Sequence, residues 1–87
     1  MPIESRVSFL TEQDVQFDAM GLQRLASEMS AADALKSYHG MIERYVQNEQ
    51  PAFARSLRDK VADLWKGLSP EEQTVLETIN ATIEDEE

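Results

Sequence analysis

"LWKGLSPEEQTVLETI", residues 64–79, closes one helix, turns, and opens another. Gly67 suits a helix C-terminus, because glycine takes the left-handed conformation without steric penalty. Ser69 suits an N-cap, since its hydroxyl accepts from an otherwise orphaned backbone N–H. Pro70 then falls at the first helical position, where its missing N–H is not needed. Glu71 and Glu72 fall in the first turn, at the positive end of the helix dipole. Glu72 stands three residues after Ser69 and completes a capping box. The helix that follows carries Val75, Leu76, Ile79 and Ile83 on one side.

The same signals recur upstream. Ser30 precedes a run in which Ala31, Leu35, Tyr38, Met41, Ile42, Tyr45 and Val46 keep helical spacing. Asp33 stands three residues after Ser30, and Pro51 disfavours helical geometry at Gln50, so this helix ends near Asn48 or Glu49. Pro51 opens a third helix with Phe53, Ala54, Leu57, Val61, Leu64, Trp65 and Leu68 on its apolar face. The first helix starts after Thr11, with Asp14 three residues on. Its apolar face is Val15, Ala19, Leu22, Ala26 and Met29, and Gly21 interrupts it as a kink or a break. Four helices are predicted, near 12–28, 31–48, 51–66 and 70–83. Short connections favour antiparallel neighbours, so the expected fold is all-α, a small antiparallel bundle of about four helices. Residues 1–11 read as an extended N-terminal segment in which Val7 and Phe9 cover the core. Residues 84–87, "EDEE", read as a mobile acidic tail.

The 87 residues allow one small domain. An apolar fraction of 41% is enough for a core, and 29% is charged. There is no cysteine, so disulfides, thiol catalysis and cysteine-bound metal are excluded. Small secreted domains usually need disulfides, and the N-terminus has no secretory pattern, so the cytoplasm is the expected location. No run of 18 apolar residues exists to cross a membrane.

Seventeen acidic residues stand against eight basic ones, a net charge of −9. Seven of the acids (Glu71, Glu72, Glu77, Glu84, Asp85, Glu86, Glu87) fall in 71–87, where no basic residue occurs. Such a chain is poorly suited to meet phosphates or anionic membrane. A helix-turn-helix tried on "RLASEMSAADALKSYHG", residues 24–40, lacks the turn glycine and offers only Lys36 on its reading helix. No direct contact with nucleic acid is expected.

Seventeen acidic residues leave acid–base catalysis by chance carboxylate pairs formally open, but no catalytic or metal-binding constellation stands out. His39 is the sole histidine; with Glu43 one turn on it makes at most half a metal site, and helical bundles need three or four ligands. It reads better as a partly exposed interface or surface histidine. Asp18 falls near the Val15–Leu22 face and reads as a sign that the first helix starts late or bends. No glycine-rich phosphate loop exists among three scattered glycines. No enzyme, cofactor or metal is expected.

Two sets of residues are candidates for binding a partner. Phe17 and Met20 point away from the apolar face of a regular first helix, beside Gln13 and Arg24; adjacent exposed apolar groups suggest an interface. If Gly21 breaks the helix, both turn into the core instead. Arg55, Arg58 and Lys66 share one flank of the third helix, with Asp59 and Asp63 beside them. They read as a solvated face laced with ion pairs, or as a docking site for an acidic partner or the chain's own tail. The expected function is therefore protein–protein binding by an adaptor, regulator or inhibitor, with a homodimer as one form. The alternative is an acidic mimic of nucleic acid that occupies a basic groove on a partner, as some phage-encoded inhibitors do.

Overall fold

A computed structural model describes residues 11–85 of the chain. The extended segment expected before Thr11, with Val7 and Phe9, lies outside the described residues, as do Glu86 and Glu87. Four α-helices run Glu12–Glu28 (α1), Ala31–Gln47 (α2), Pro51–Lys60 (α3) and Pro70–Asp85 (α4), with a 3₁₀ segment Ala62–Gly67 between α3 and α4. No strand occurs among the described residues.

The helix starts follow their caps. The Asp14 N–H donates to Thr11 Oγ1 and the Thr11 N–H to Asp14 Oδ2, at 3.3 and 2.8 Å. The Asp33 N–H donates to Ser30 Oγ at 3.1 Å. At α4 the box closes both ways: the Glu72 N–H donates to Ser69 Oγ at 3.2 Å, and the Ser69 N–H to Glu72 Oε1 at 3.0 Å. Each bond satisfies a donor that the first turn of a helix leaves without an intrahelical acceptor.

Four local expectations are corrected. Gly21 does not break α1; the helix is continuous through it. Helix three does not run unbroken to residue 66: Val61, at φ −113°, ψ 16°, leaves helical geometry and a 3₁₀ segment follows. In a 3₁₀ helix positions i and i+3 eclipse, so Trp65 and Leu68 share the buried side while Leu64 is only partly buried. Gly67 is not left-handed; no glycine has positive φ. Met29 and Val75, expected on core faces, are exposed. Met29 is the residue at which α1 has already ended, so its side chain no longer follows the helical stripe.

The left-handed position falls instead at Glu49, φ 61°. It closes α2 with two bonds, Glu49 N–H to Val46 O and Gln50 N–H to Tyr45 O, both 2.9 Å. This is the Schellman pattern, which glycine fills more cheaply than glutamate.

α2 and α3 form a central pair, and α1 and α4 each pack against both. The core runs through Val15, Ala19 and Leu22 of α1, Leu35, Tyr38, Ile42 and Tyr45 of α2, Leu57 and Val61, and Ile79 and Ile83 of α4. The principal extents are 48 × 28 × 17 Å. The short axis accommodates about two layers of helix.

Candidate functional site

The position of α1 is set by one polar corner. The Tyr45 hydroxyl, on α2, donates to Asp18 Oδ2 at 2.7 Å. Arg44 Nη2 stands 3.5 Å from the same oxygen. Asp18 is therefore a clasp on the α2-facing edge of α1, which starts at Glu12 and not late. Burial pushes the Tyr45 hydroxyl well above the usual tyrosine range, and the bond to Asp18 raises it further. With Val15, Ala19 and Leu22 turned inward and Asp18 at the edge, α1 has one rotation left to it.

That rotation puts Phe17 and Met20 outside. They are 60% and 58% exposed. At i and i+3 they are neighbours on the helix surface, with Gln13 and Arg24 one turn to either side. Arg24 reaches along the helix, its Nε 3.6 Å from Glu28 Oε2. Two large apolar groups in contact with water, flanked by polar side chains, form a compact patch on the outer face of α1.

The basic set does not form one face. The Arg58 side chain is 27% exposed and its Nε lies 3.4 Å from Asp59 Oδ1. Arg55 is partly buried. The Lys66 side chain is 82% exposed, with Nζ 4.0 Å from Asp63 Oδ1. The intervening 3₁₀ turns advance about 120° per residue in place of about 100°, which carries Lys66 off the Arg55–Arg58 stripe. Arg58 lies close enough to Tyr38 to oppose, in part, the upward push that burial gives that hydroxyl.

His39 is on the surface, its Nε2 3.5 Å from Glu43 Oε2. Among the described residues no group of three or more histidine, aspartate or glutamate side chains could hold a metal ion. No described helix is long and apolar enough to cross a membrane. No known protein family, curated protein or solved structure matches the chain.

Proposed function

We propose that the chain is a small acidic cytoplasmic protein that acts by binding another protein, as an adaptor, regulator or inhibitor, with a second copy of itself as one such partner. The observation that carries this reading is the pair Phe17 and Met20, side by side in water on a helix that buries Val15, Ala19 and Leu22 on its opposite face. Arg24 at the rim supplies a polar contact. Arg55, Arg58 and Lys66 contribute at most singly, given their separation. The cytoplasmic assignment draws on the absence of cysteine. The reading treats the fold as an antiparallel bundle of about four helices, which its short connections favour. Small bundles often complete a thin core by association.

Sedimentation equilibrium tests it. A dimer at micromolar concentration, dissociated by Phe17→Glu with the helical circular-dichroism spectrum intact, is the expected result. Binding that survives high salt and is unaffected by both Phe17→Glu and Met20→Glu would overturn it.

The acidic stretch 71–87 favours a second reading, in which carboxylates stand in for phosphates in a basic groove. Truncation after Ile83 removes Glu84, Asp85, Glu86 and Glu87 and takes the formal charge from −9 to −5. A phosphate mimic then loses about a hundredfold in affinity and much of its salt dependence. Docking through Phe17 and Met20 stays within a few-fold.

A further inference from the structure

We infer that the cleft between the first halves of α2 and α4 is a second docking surface, and that it takes a basic amphipathic helix. Ala32, Leu35, Lys36, His39, Glu72 and Val75 line an open cleft of ≈ 240 Å³. It is smaller than the roughly 300–1,000 Å³ of sites that enclose small ligands. Its walls are two regular helices, the frame in which a third helix docks by its apolar ridge.

The cleft lies where α4 packs least, between buried Leu68 before its start and the buried residues of its second half. Ile79 and Ile83 are buried, and the Tyr38 hydroxyl donates to Asn80 Oδ1 at 2.7 Å. Nearer its start only Leu76 packs, and only partly, while Val75 stands 46% exposed. Ala32, Leu35 and Val75 make the floor. The first turn of α4 is held by the capping box and by Leu68, buried just before it, rather than by apolar side chains of its own.

Charge selects the partner. Glu72 lines the α4 edge, Glu71 stands one turn before Val75, and residues 71–87 contain no lysine or arginine. On the α2 edge His39 is engaged by Glu43, which leaves Lys36 as the one lysine or arginine among the lining residues. A helix with leucines on one side and lysines or arginines along the flank that meets α4 satisfies both the floor and the acidic edge. A net charge of −9 attracts it from a distance. An acidic helix meets repulsion along α4. This surface does not depend on Phe17 or Met20, since α1 and α4 are separate flanks of the α2–α3 pair.

The test is an NMR titration of the full chain with a synthetic peptide of about 14 residues, leucines at helical spacing and lysines elsewhere. Shifts should centre on Ala32, Leu35, His39 and Val75. Val75→Lys should weaken binding about tenfold or more, and Glu71→Lys several-fold with a flatter salt dependence, both without change in melting temperature. Phe17→Glu should leave it within about twofold. The proposal is overturned if a lysine–serine peptide without leucine binds as tightly, if a glutamate–leucine peptide binds more tightly, or if the shifts centre on α1.

Discussion

α1 and α4 flank the same central pair but are held to it differently. α1 buries Val15, Ala19 and Leu22, packs Leu25 and Ala26 in part, and is clasped at Asp18 by Tyr45 and Arg44. α4 buries Ile79 and Ile83 and is tied at Asn80 by Tyr38, all in its second half. Its first half is held by the Ser69–Glu72 box, by Leu68 buried just before it and by Leu76, only partly buried. One helix is thus fixed by packing and the other partly by its own grammar. Each leaves a different surface free: an outer face on α1, a cleft beside α4.

The sharpest way to break the contrast is to delete apolar bulk from each flank. Leu22→Ala should cost about 2–5 kcal/mol in chemical denaturation, the range for a buried leucine. Val75→Ala should cost less than about 0.5 kcal/mol. Equal losses would mean that α4 is packed throughout.

The tyrosine ties come next. Tyr45→Phe strips a hydrogen bond from a carboxylate and should cost about 1.5–3 kcal/mol; Tyr38→Phe strips one from a neutral amide and should cost about 0.5–1.5 kcal/mol. Both hydroxyls have folded pKa values raised by burial above their unfolded value of about 10. Their contribution is therefore full below about pH 10 and is lost as the pH rises through the folded values. Each phenylalanine variant should lose less stability than the parent on going above pH 10, which urea titrations at pH 9 and 11 would show.

Smaller effects probe the local grammar. Ser69→Ala should cost about 1 kcal/mol through the lost cap. Gly21→Ala should stabilise by about 1 kcal/mol, because Gly21 is helical and a β-carbon there meets nothing within 4 Å. Glu49→Gly should stabilise by a similar or smaller amount by relieving the left-handed strain. A loss at either glycine test would mean that the local backbone differs from that described.

The contrast also explains what the sequence made legible. Ser69-Pro70-Glu71-Glu72 could be read directly because the cap that opens α4 is local chemistry. The heptad-like run Val15, Ala19, Leu22 likewise marked the buried face of α1, and the outward placement of Phe17 and Met20 follows from it once the helix is continuous. What could not be read depends on tertiary contact. The break at Val61 serves Trp65, whose ring centroid lies 5.2 Å from that of Tyr38; no local signal in "KVADLW" announces it. The left-handed Glu49 has no glycine to mark it. Val75 has apolar spacing but no partner opposite, so periodicity assigns it to the core although it borders an open cleft.

Native-state amide hydrogen exchange on the full chain tests the uneven anchoring most directly. Amides of α1 around Leu22 and of α2 around Ile42 should exchange only with global unfolding. Those of Gln73 to Leu76 should exchange faster by about a hundredfold or more, while those near Ile83 keep intermediate protection. Protection at Gln73–Leu76 equal to that at Leu22 would contradict the account.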